Sequence, residues 1–63
     1  MTQISLQKVM ELLGVTRIQG TPQEQQQLVQ WTREFVEERG ESWVRQNKSL
    51  LLSSWEEVLQ LGL

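Results

Sequence analysis

From Trp43 to Leu59 the chain repeats large side chains at helical spacing: Trp43, Val44, Leu50, Leu51, Trp55, Val58 and Leu59, with Asn47 and Ser54 on the same line. At about 100° per residue these positions gather on one side of a helix over residues 42–61. A helix with one apolar side must cover it, so the stripe commits the chain to helix-on-helix packing. Two positions qualify the stripe. Asn47 is polar amid apolar neighbours, and a buried Asn in a helix interface fixes register and oligomeric state at a cost in stability. It would meet its symmetry mate or a backbone carbonyl of the preceding helix; the other reading places it at a solvated edge or capping a local bend. The pairs Ser53 with Glu56 and Ser54 with Glu57 both match the capping-box pattern, so a break near Ser53 would start a further helix. The uninterrupted stripe favours one rod.

The remainder of the chain also reads as helices. Leu6, Val9, Met10 and Leu13 recur at three- and four-residue steps between Ser5, able to cap the free N–H groups, and Gly14, able to take the left-handed conformation that ends a helix. Val15 to Gly20 is a connector, with Val15 and Ile18 tucked against the core. Thr21-Pro22-Gln23-Glu24 is a helix start: Thr21 and Glu24 form a capping box, and Pro22 sits where its missing N–H is no loss. The helix it opens carries Leu28, Val29, Trp31, Thr32, Phe35 and Val36 on a broad face and stops at Gly40. Only Gly40 and Glu41 then separate it from the stripe, which forces an antiparallel hairpin or a steep crossing. β-branched residues are scattered and no Asn-Gly or Asp-Gly turn occurs, so no strand competes. The three Trp lie twelve residues apart, but in unlike surroundings, and mark no internal repeat. The expected fold is all-α: a small three-helix bundle in one domain, residues 1–63, with helices near 5–13, 22–39 and 42–61, and a fourth helix if the last breaks near Ser53.

Size and composition limit what such a bundle can be. A chain of 63 residues buries only about 60% of the surface its unfolded form exposes. A single core of this size rarely supplies more than about 3–5 kcal/mol, and small domains add disulfides, a metal or a second copy. With no Cys and no His, self-association is the most open remedy. Three Trp and ten Leu are enough to drive collapse. The net charge of −2 comes from eight Glu against six Lys and Arg, interspersed, which is not the basic footprint of a general nucleic-acid binder. The longest apolar run is Leu50-Leu51-Leu52, far short of a membrane span, and Met1 to Leu6 holds no basic segment followed by an apolar core. The expectation is a chain with neither anchor nor signal peptide, cytoplasmic by default.

Reactive groups are scarce. Without His, Cys, Asp or Tyr, a general base near neutral pH would be a perturbed Glu or Lys. The pairs Glu37–Glu38 and Glu56–Glu57 point about 100° apart on a helix and do not converge on one substrate. Glu34, Glu37, Glu38 and Glu41 share a side, but with Arg33 and Arg39 close by they read as helical ion pairs of about 0.3–0.5 kcal/mol each. No catalytic residue, metal ligand, cofactor or small-molecule substrate is expected; the chain is read as not an enzyme.

Two binding readings remain. The segment Leu6-Gln7-Lys8-Val9-Met10-Glu11-Leu12-Leu13-Gly14-Val15-Thr16 resembles the first helix and turn of helix-turn-helix domains over eleven residues. That resemblance implies a DNA-binding regulator. Gln pairs with adenine in the major groove, and Gln23, Gln26 and Gln27 with Arg17 are the candidate contacts. Against it, Gly14 to Gly20 is longer than the usual three- or four-residue turn, and Arg17 is the only nearby cation to grip phosphate. The favoured reading is an interaction module that binds another protein or a second copy of itself. Its candidate surface is Trp31, Trp43, Asn47, Leu52, Trp55, Leu61 and Leu63, large side chains beyond what three short helices can hide, with Asn47 as a register-setting position.

Overall fold

The computed structural model describes residues 3–61, which form four helices: α1 (Leu6–Leu13), α2 (Pro22–Arg39), α3 (Glu41–Gln46) and α4 (Lys48–Leu61). The architecture is all-α, a small helical bundle. Leu63 of the expected surface lies outside the described residues.

The helix starts and stops follow local chemistry. Ser5 Oγ accepts from the Lys8 amide at 3.2 Å, opening α1. Its end is a Schellman motif: Gly14, left-handed at φ 70°, donates to the Glu11 carbonyl, and Val15 donates to the Met10 carbonyl at 3.0 Å. Val15 is thereby turned onto the core. The capping box at α2 is closed in both directions, Glu24 N–H to Thr21 Oγ1 at 3.2 Å and Thr21 N–H to Glu24 Oε1 at 2.7 Å. Between these helices the connector is held by Gln25, whose side-chain amide donates to the carbonyls of Ile18 and Gly20.

Each helix contributes a narrow strip to one core. Val9, Leu12 and Leu13 come from α1; Leu28, Thr32 and Val36 from α2; Val44 from α3; Leu51 and Trp55 from α4. The spacings of three and four residues within each set are those of one helix face. Leu6 and Met10 are only half-buried while Leu12, absent from the expected periodic set, is fully enclosed. The Cα radius of gyration, 10.8 Å, is that of a single closed body of this length.

The expected rod over 42–61 is corrected: it is two helices, and the break falls at Asn47, not near Ser53. Asn47 leaves the helical region at φ −111°, ψ 22°. Its side-chain amide donates to the Trp43 carbonyl at 2.8 Å, its own N–H bonds the Trp43 and Val44 carbonyls, and its carbonyl accepts the Leu51 N–H at 3.0 Å. Asn47 thus closes α3 and opens α4. The carbonyl it meets belongs to its own helix, so it acts as the cap of a local bend and not as a contact to α2. The bend also reorients the stripe. A straight rod needs an apolar face wide enough to hold both Trp43 and Leu59; after the bend, α4 turns a face centred on Leu51 and Trp55 inward. Leu52 moves to the core margin, and Leu50 turns outward with 60% of its surface exposed.

Candidate interaction surface

All four aromatic side chains of the protein form one column. Trp55 of α4 lies against Trp31 of α2 with ring centroids 5.9 Å apart, and Trp31 meets Phe35 edge-on at 5.0 Å. Phe35 stacks on Trp43 of α3 at 5.5 Å, and the Arg39 guanidinium covers Trp43 at 5.2 Å. One Trp comes from each of α2, α3 and α4, so their even spacing serves three separate helices. The offset, edge-on and cation–π geometries are those aromatic quadrupoles favour.

The column separates α2 from α4 and leaves a shallow groove between them of about 380 Å³, lined by Gln27, Gln30, Trp31, Glu34, Trp55 and Val58. The outer lip belongs to α4. At 3.6 residues per turn, Glu57 and Leu61 each lie within about 20° of Leu50, one to either side, with Ser54 and Val58 between that line and the groove. Leu61 is 87% exposed, so Leu50 and Leu61 present apolar surface on the outer side of the Val58 wall of the groove, with Glu57 on the same line. Glu34 lines the groove on α2 with Glu38 one turn further along that helix, and Glu57 shares the Leu50–Leu61 line of α4; all three are exposed. Among the described residues no cation stands within ion-pairing distance of any of them.

Most charges on α1, α3 and the opposite side of α2 are paired. Lys8, Glu11, Glu41 and Arg45 alternate in sign around a ring that ties α1 to α3, with Lys8 3.3 Å from both carboxylates and Arg45 2.6 Å from Glu11 and 3.5 Å from Glu41. Hydrogen bonds to Glu41 and then Glu11 raise the Lys8 pKa, while those from Arg45 and then Lys8 hold the Glu11 carboxyl below its ordinary value. Arg33 lies 3.7 Å from Glu37. The four carboxylates expected to share a side are therefore divided: Glu37 and Glu41 have cations, whereas Glu34, which lines the groove, and Glu38 have none among the described residues.

Several expected surface residues are placed otherwise. Trp55 is 6% exposed and belongs to the core, only its edge reaching the grooves. Trp31 and Trp43 are half-buried in the column, and Asn47 is half-buried with its amide committed to Trp43. Leu52 packs against the core and lines a second groove with Val15, Ile18, Trp55 and Leu59, whose polar members are Arg17, Gln19 and Glu56. Of the described members of that set, Leu61 alone is widely exposed. Leu50 was missed because it was counted in the stripe, although its place about 100° from Leu51 marks it as marginal.

The candidate DNA contacts fall on two surfaces. Gln23, Gln26 and Gln27 line one cleft with Gln3, Gln30 and Arg33, whereas Arg17 belongs to the connector groove. The structure does not join the glutamines to the cation that would anchor them. No protein-family model, curated protein or solved structure matches the chain.

Proposed function

We propose that this protein is a non-catalytic helical interaction module that docks another protein chain on the face between α2 and α4. The observation that carries the reading is the exposure of Leu50 and Leu61 beside the Trp31–Trp55 groove. Two leucines left outside a core this small, on one helix line beside a groove walled by Trp31 and Trp55, supply the exposed apolar area with polar surroundings that partner surfaces share. The census of side chains agrees: no His, Cys, Asp or Tyr is present to supply nucleophilic or acid–base chemistry at neutral pH.

The alternative, a DNA-binding regulator, draws on the glutamine cleft alone. Its nearest cation, Arg33, is already beside Glu37, and specific DNA binding needs several phosphate contacts.

The test is site-specific photo-crosslinking in the producing cell, with the crosslinker at Leu50 or Leu61 and, as control, at Gln19 in the connector groove. A discrete protein adduct, with another chain or a second copy, is expected from positions 50 and 61 and not from 19. Absence of any adduct from 50 and 61 would sink the proposal. A salt-dependent shift of duplex DNA, lost on replacing Gln23, Gln26 and Gln27 by Ala, would move the assignment to the regulator.

A further inference from the structure

We infer that the chain docked on the α2–α4 face is a cationic amphipathic helix of another protein and not a second copy; this rests on the docking role proposed above. The charge around the groove decides between the two. Glu34 and Glu38 lie one turn apart on α2, Glu57 lies in line with Leu50 and Leu61 on α4, and among the described residues none has a cationic partner. The neighbouring cations are turned to other uses, Arg33 to Glu37 and Arg39 to the Trp43 ring. Lys48 sits over Gly14, at the opposite end of α4 from Leu61. The groove thus has unpaired carboxylates to both sides: Glu34 on its α2 wall with Glu38 one turn on, and Glu57 within the Leu50–Leu61 line of α4.

A second copy would bring the same carboxylates to meet these, and like charges set against each other across an interface oppose association. A helix with leucine-like side chains along one face and Lys or Arg beside them satisfies both features at once. Leu50 to Leu61 spans about 16 Å of helix, so about three turns of the partner are engaged, anchored on apolar residues at three- and four-residue steps.

The probe is a synthetic amphipathic Leu/Lys helix of about 18 residues, which spans about 27 Å. It is titrated into the isotopically labelled protein and followed by amide chemical shifts. Controls are a Leu/Glu peptide of the same pattern and a Leu/Lys peptide scrambled to abolish its apolar face. Binding of the patterned Leu/Lys peptide is expected, with shifts gathered around Trp31, Leu50, Val58 and Leu61. It should weaken about tenfold in the triple variant E34Q/E38Q/E57Q and by a similar factor in L50S/L61S, since exposed charges and apolar contacts each contribute modestly. These residues are all exposed, so the variants retain the fold, which the unchanged dispersion of core amides verifies. Equal binding of the Leu/Glu peptide, or an unaffected E34Q/E38Q/E57Q variant, overturns the cationic partner while leaving the docking face standing. Equal binding of the scrambled peptide overturns it as diffuse charge attraction. Self-association that depends on Leu50 and Leu61 and excludes the peptide overturns it in favour of a second copy. Failure of every peptide together with failure of the crosslinking at 50 and 61 removes the docking face itself.

Discussion

Three single residues hold local features whose energetic weight a substitution measures. Gly40 sits at φ 89°, ψ 163°, a region closed to side-chain-bearing residues, and there it both ends α2, donating to Val36 at 2.8 Å, and precedes α3. A Cβ at Gly40 would meet nothing within 4 Å, so Gly40→Ala adds no clash and only backbone strain. We expect it to cost about 1–3 kcal/mol in urea unfolding; an unchanged midpoint would show that the α2–α3 turn relaxes freely. Thr32 is the reverse case, a fully buried residue whose hydroxyl has no partner among the described residues. Thr32→Val keeps the shape and deletes the unsatisfied group, so stability should rise by about 1 kcal/mol. A loss of stability would mean that the hydroxyl does bond in solution. At Asn47 the side-chain bond to Trp43 should be worth about 0.5–1.5 kcal/mol. Asn47→Asp should cost more than Asn47→Ala, because it turns a carboxylate oxygen toward the Trp43 carbonyl; equal losses in chemical denaturation would argue against the observed cap.

The elements differ in how openly the sequence declares them. Where a helix boundary is written in side-chain chemistry, reading and structure agree: Thr21-Pro22-Gln23-Glu24 opens α2 at Pro22, and Ser5 with Gly14 brackets α1. Where it depends on tertiary packing, they part. The two capping-box matches at Ser53 and Ser54 lie inside α4, while the actual break at Asn47 carries no motif beyond a polar residue in an apolar stripe. Asparagine readily bonds nearby backbone, which is the reading of Asn47 as the cap of a local bend; nothing in the local pattern ties that cap to a helix break. The same bend explains why the candidate surface was only partly legible. Leu61 was visible as surplus, but the exchange of Leu50 and Leu52 follows from how α4 rolls after Asn47, which no local pattern records. The aromatic column was hidden for the same reason, since its members come from three helices. The capping box offers the element's own test. Thr21→Ala removes one of its two bonds and should lower stability by about 1 kcal/mol, with amide exchange fastest in the first turn of α2. Uniform acceleration along the helix would instead place the capping box in the global unfolding unit.

At the scale of the molecule, two features tie the helices laterally in place of a large core. The aromatic column joins α2, α3 and α4, and the ring of Lys8, Glu11, Glu41 and Arg45 joins α1 to α3. The ring is partly exposed, so its share is governed by solvent conditions more than by packing. Its pH dependence has a definite sign. The Glu11 carboxyl is held below its ordinary value, chiefly by the Arg45 hydrogen bond and then by Lys8. The stabilisation it gives is therefore present above the unfolded carboxylate pKa of about 4.3 and is lost as pH falls through the lower folded value. Lys8 is raised, chiefly by Glu41 and then Glu11. Its contribution is complete below the unfolded lysine pKa of about 10.4 and fades as pH rises through the higher folded value. Comparing the melting temperature of the protein with that of Glu11→Gln isolates this share from the other seven glutamates, since both proteins carry those. The gap between the two curves should stay constant through neutral pH and close below the carboxylate range, where protonated Glu11 and Gln become equivalent. It should also shrink as salt is raised toward 1 M, where the screening length falls to about 3 Å. A gap that persists unchanged at acid pH and high salt would mean that Glu11 acts through packing of its stem and that its ion pairs with Arg45 and Lys8 add nothing to the joint between α1 and α3.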